Sequence, residues 1–122
     1  MRKNLTIYLA WAALLASSGV LAEAPWKHVG TLGQRHLMLV DAGVQDNAEQ
    51  LKQAALTVCA PAKPCLVAFW SDAAAVPAAM PMTSQQQQAM VAQYLRNPAS
   101  GKESLLLKCP PYNTANTKCL NQ

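Results

Sequence analysis

The stretch RHLMLVDAGVQDNAEQLKQAALTVCAPAKPCLVAFW, residues 35–70, reads as strand, helix and strand in succession, and that succession decides the fold. It opens on Arg35 and His36 and runs into Leu37-Met38-Leu39-Val40, the apolar run expected of an inner strand. Asp46 stands three positions before Glu49, so its carboxylate is placed to accept from first-turn amides while Glu49 reaches back, as in a capping box. Leu51, Ala54, Ala55 and Val58 recur at the spacing of one helical face, and the helix should end near Cys59. Pro61 and Pro64 block its continuation, after which Leu66-Val67-Ala68-Phe69-Trp70 is short and wholly apolar, as a buried strand requires. Two strands joined through a crossover helix are expected to lie parallel in one sheet.

Outward from this unit, residues 28–32 form a first strand joined to the second by Gly33-Gln34, a two-residue hairpin connection. Downstream, Thr83 with Gln86 begins a second helix, whose face would be Met90, Val91, Tyr94 and Leu95 and whose stop is Asn97-Pro98. Residues 104–108 give a last strand through Leu105, Leu106 and Leu107, and residues 109–122 form a polar tail. The predicted order is ββαβαβ: a small α/β (α+β) two-layer sandwich, with two helices on one face of a mixed sheet.

The N-terminus reads as a cleaved export signal, residues 1–22. Arg2 and Lys3 precede an apolar run over residues 5–15, and Val20-Leu21-Ala22 forms a small-residue cleavage pattern. The apolar run breaks up before the roughly 20 residues that a membrane span wants. Glu23, not cysteine, follows the cut, which argues against lipidation there. Residues 23–122 are then a single small mature domain in the periplasm or secreted, of bacterial type. The chain has ten Lys plus Arg against six Asp plus Glu, but Arg2 and Lys3 leave with the leader, so the net charge falls from +4 to +2. The remaining cations are scattered, which excludes a nucleic-acid footprint.

Cys59, Cys65, Cys109 and Cys119 are even in number and all lie outside the leader, the pattern of two disulfides in an oxidising compartment. Spacing favours Cys59 with Cys65 and Cys109 with Cys119; the rival pairing joins Cys65 to Cys109 if their strands are neighbours. Neither the two close C-x2-C pairs of a zinc site nor a C-x2-C redox motif is present.

The candidate binding loop is residues 71–82, about twice the usual connection length. Trp70, Ser71 and Asp72 stand at the strand end where open α/β sheets place ligands, and Met80 and Met82 flank Pro81. The competing expectation is that the loop's apolar residues fold back over the sheet and that Asp72 is a turn residue. Met80 and Met82 with a histidine would suit Cu(I), but methionine in an apolar loop is ordinarily packing material. His28 and His36 face each other across the hairpin only if the register permits, and are read as strand residues rather than metal ligands. No nucleophile elbow, phosphate loop or paired-carboxylate motif occurs, so no catalytic residue, metal or cofactor is assigned.

The stretch over residues 65–101, with Phe69-Trp70, Pro81-Met82-Thr83 and the segment from Tyr94 to Gly101, resembles small exported bacterial proteins of unassigned activity. That resemblance covers about a third of the chain and implies a periplasmic setting without bringing catalytic residues. The expected function is therefore a small, non-enzymatic binding or interaction protein, inhibitor- or immunity-like, whose partner is another envelope or exported protein. The alternatives are a small envelope enzyme using Ser71, Asp72 or His36, and soft-metal (copper) handling. Mass measurement of the exported protein should place its N-terminus at Glu23; retention of Met1, or fractionation with the membrane, would show that the leader is not cleaved.

Overall fold

A computed structural model of the chain describes residues 24–109 and 119–120. The export signal at residues 1–22, with its cleavage, and most of the tail lie outside the described residues. The elements are β1 (Trp26–Leu32), β2 (Arg35–Val40), α1 (Ala48–Leu56), β3 (Cys65–Trp70), α2 (Ser84–Ala89), β4 (Met90–Asn97) and β5 (Lys102–Leu107), with single 3-10 turns at Ala42–Val44 and Ala73–Ala75.

The five strands form one mixed sheet in the order β1-β2-β3-β4-β5. β1 and β2 make the expected antiparallel hairpin, and Gly33 takes φ 62°, a left-handed conformation that glycine adopts without a Cβ penalty. β2 and β3 pair in parallel with α1 as the crossover, while β4 and β5 add antiparallel strands beyond β3. Two disulfides join Cys59 to Cys65 and Cys109 to Cys119, so both bridges are local. The first ties the end of the crossover to the start of β3. Around the second, Leu120 pairs with Lys108 and its N–H donates to the Leu107 carbonyl.

β3 lies at the centre and is buried on both faces. Val67 and Phe69 enter one cluster with Met38, Val40, Tyr94 and the α1 residues Leu51, Ala54 and Ala55. Ala68 and Trp70 enter the other with Leu37, Met90 and Leu120, covered by Val76, Met82 and Ala89.

Three expectations need correction. The cap of α1 is Asn47, whose side chain accepts from the Gln50 N–H at 3.1 Å; Asp46 lies one residue outside. The cap side chain must bond an amide two or three residues on, and Asn47 meets that geometry for a helix starting at Ala48. The second helix is only Ser84–Ala89; its Thr83/Gln86 capping box is present, but the segment expected to be its apolar face is the strand β4. The difference has a physical cause. The register of β4 slips against Phe69 and Trp70, which pair with Ala92 and Met90, so Val91 is an extra residue and strict alternation is lost. Met90, Val91, Ala92 and Tyr94 are all buried and imitate a helical stripe. Third, the helices do not share a face: α1 packs in the first cluster and Ala89 of α2 in the second.

Leu51 is fully buried whereas Leu56 on the same helix is 43% exposed. Leu51→Ala should therefore lower stability by about 2 to 5 kcal/mol, while Leu56→Ala should stay within about 0.5 kcal/mol. Equal losses in urea titrations of the two variants would contradict the packing of α1.

Candidate functional site

The loop over residues 71–82 starts from a rigid anchor. Trp70 has no exposed surface, and its indole N–H donates to the Gln86 carbonyl at 2.8 Å, satisfying the one polar atom that burial would otherwise strand. Asp72 follows as a turn residue: its carboxylate accepts from the Ala74 N–H at 3.0 Å and opens the 3-10 turn Ala73–Ala75. Val76 and Met82 then pack against the second cluster, and Pro77 is buried. The two methionines part company. Met82 is half-buried, with the Arg35 Nη1 group 3.9 Å from its sulfur, whereas Met80 is 51% exposed. The loop thus covers the sheet through Val76, Pro77 and Met82 and offers Met80 to solvent.

Beside this cover, cross-strand register builds a stripe that no single segment of sequence displays. Arg35 pairs with both Leu32 and Leu66, and Leu66 pairs with Leu95, so Leu32, Arg35, Leu66 and Leu95 project from one face in a row across four strands. Leu66 and Leu95 belong to neither packed cluster among the described residues, and Leu95 is 45% exposed although β4 is an inner strand. Arg35 links the row to Met82. The sequence contains these leucines, but only the pairing brings them together.

The opposite face carries two polar clusters. The first joins α1 to the last two strands: the Tyr94 hydroxyl donates to Glu103 Oε2, and Lys52 Nζ lies 3.3 Å from Glu103 Oε1. Burial, then the hydrogen bond to Glu103 and its charge, push the Tyr94 phenol up to about 12. Hydrogen bonds from Tyr94 and Lys52 hold the Glu103 carboxyl below its ordinary value. Arg96 donates to the Ala60 carbonyl at 3.1 Å, tying β4 to the segment after α1. A phenol so hard to ionise stays protonated and serves as a structural donor.

The second cluster is the histidine pair. His36 Nδ1 lies 3.4 Å from His28 Nε2, and Thr31 Oγ1 is 3.3 Å from the same His28 nitrogen. Burial, then the neighbouring His28, lower the His36 pKa. The register does bring the two histidines together.

Of the residues considered for an enzyme, Ser71 and Asp72 are chain neighbours and His36 lies apart from both. A concavity of about 560 Å³ is lined by Asp72, Ala74, Ala75, Thr83, Gln85, Gln86 and Ala89, and includes neither Ser71 nor His36. His36 sits level with Val67, four residues before Ser71 along the parallel pair, a separation of about 13 Å at strand rise. The Thr83 hydroxyl and the Gln86 amide in that concavity are already engaged in capping α2. Comparison with family models, characterised proteins and solved structures gives no match.

The two methionines should separate by substitution. Met82→Ser removes half-buried surface and should cost about 1 to 3 kcal/mol, while Met80→Ser should leave stability unchanged within about 0.5 kcal/mol. Identical melting of the two variants would show that the loop does not divide into a packed and an open part.

Proposed function

We propose that this protein is a small exported binding module, non-enzymatic, that contacts another envelope or exported protein through the Leu32–Arg35–Leu66–Leu95 row, Met82 beside Arg35 and the exposed Met80 of the same loop. The observation that carries the reading is the uncovered end of that row, Leu95 at 45% exposure with the half-buried Leu66 beside it, both outside the packed clusters among the described residues. Leucines on inner strands are ordinarily covered, and an apolar row that includes Arg35 has the composition of an interface, with arginine and methionine enriched at such surfaces. Both disulfides suit an oxidising periplasmic or extracellular setting, and no described helix is long and apolar enough to cross a membrane. The narrower form of the proposal is an inhibitor- or immunity-type partner, for which a cross-linked scaffold supplies a preorganised contact face.

The enzyme alternative draws no support from the geometry, because His36 stands about 13 Å along the parallel pair from Ser71 and its neighbour Asp72. Copper binding at Met80 and Met82 is disfavoured because the Arg35 guanidinium stands beside the Met82 sulfur, a cation where a metal cation would have to sit. The test is capture from envelope extract with the parent chain and with Leu95→Asp as bait. An exported protein retained by the parent and lost by the variant, with melting unchanged, is the expected result; a partner that the variant holds equally well would remove the row from the interface.

A further inference from the structure

On the other face of the sheet, we infer that His28 and His36 form a binding site for a divalent d-block cation, with two imidazole nitrogens as protein ligands and water completing the shell. The backbone builds the site. The register of β1 slips between His28, which pairs with Met38, and Gly30, which pairs with Leu37, so Val29 is an extra residue and Thr31 comes to pair with His36. In a regular strand, His28 and Thr31 would lie on opposite faces, because side chains alternate with period two. The bulge places both beside His36. Two ring nitrogens and a hydroxyl then converge, with the imidazole centroids 5.3 Å apart and the rings tilted by 55°.

The two nitrogens share a long hydrogen bond, at a spacing that a common ion also fits. At 3.4 Å, His36 Nδ1 and His28 Nε2 lie beyond the usual range for an N–H hydrogen bond. Two nitrogens bound to a tetrahedral ion at about 2.0 to 2.1 Å stand about 3.3 to 3.4 Å apart, the edge of the tetrahedron. The heavy-atom spacing matches that edge, and an ion enters once the proton shared by the two nitrogens moves to the other nitrogen of its ring. Electrostatics permit it as well: Lys27 pairs with Leu39 and Arg35 with Leu66, so the hairpin's cations project from the face opposite the histidines.

No group of three or more His, Cys, Asp and Glu that could hold a metal exists among the described residues, so water must supply the remaining ligands. An open shell of this kind exchanges its ion, unlike the closed four-ligand shell of a structural zinc. Imidazole donors suit Zn2+ and Cu2+, with Cu2+ the tighter by the order of divalent affinities, whereas Mg2+ prefers oxygen.

The experiment is calorimetric titration of the exported chain, carrying no polyhistidine tag, with zinc chloride, copper(II) chloride and magnesium chloride. One Zn2+ or Cu2+ per chain, Cu2+ tighter, no Mg2+, and at least about tenfold weaker binding in His28→Ala and in His36→Ala are expected. Metal-free melting checks that each variant folds. Should His36→Ala fail to fold, the imidazole resonances of the unmutated chain serve instead: Zn2+ must shift those of His28 and His36. Absence of binding, or binding that survives both substitutions, overturns the site, as do unshifted His28 and His36 resonances in the presence of bound Zn2+.

Discussion

Burial of β3 on both faces is the constraint from which the rest of the architecture follows. A strand that reads Cys-Leu-Val-Ala-Phe-Trp has no polar side to leave in water, so the chain must supply a cover for each face. α1 covers Val67 and Phe69. The segment from residue 71 to α2, together with Leu120, covers Ala68 and Trp70. The second cover is the harder one to make, because Trp70 brings an indole N–H into the interior and α2 must place the Gln86 carbonyl against it. That requirement explains the length of the loop over residues 71–82, which carries apolar side chains across the face before α2 returns the chain to Trp70.

What the sequence discloses is set by the range of the forces involved. The parallel unit, the hairpin at Gly33, the capping box at Thr83 and the local disulfides depend on residues close in the chain, and each is legible there. β4 is not. Its bulge at Val91 puts Met90 and Ala92 on opposite faces, so the burial pattern loses the period-two signature by which a strand is recognised. The helix-forming glutamines of α2 just ahead of it strengthen the wrong period. Asn47 in place of Asp46 as the cap is an ordinary boundary displacement of one residue.

The candidate sites show the same division. Asp72 as a turn residue and Met82 as packing follow from local chemistry, and the sequence suffices to expect both. The leucine row and the histidine pair depend on register between strands, and register is fixed by the whole sheet. In the hairpin it also depends on one bulged residue, Val29, that carries no sequence mark of its role. The Tyr94–Glu103–Lys52 cluster is hidden for a related reason, since a helical period across residues 90–95 points Tyr94 away from β5.

The strand order has a further consequence for how the molecule comes into being. Among the described residues, each strand of the sheet is hydrogen-bonded to its neighbour in sequence, with no strand inserted between earlier ones. Strand contacts therefore form between neighbours in sequence, with the parallel β2–β3 pairing waiting for the α1 crossover. A chain delivered N-terminus first can dock β2 on β1, then β3 on β2, without holding an early strand open for a late arrival. Trp70 must wait for its cover, since the Gln86 carbonyl is supplied 16 residues later in the chain and Leu120 later still. Pairing in chain order thus limits the interval in which the most apolar strand stands uncovered and prone to association.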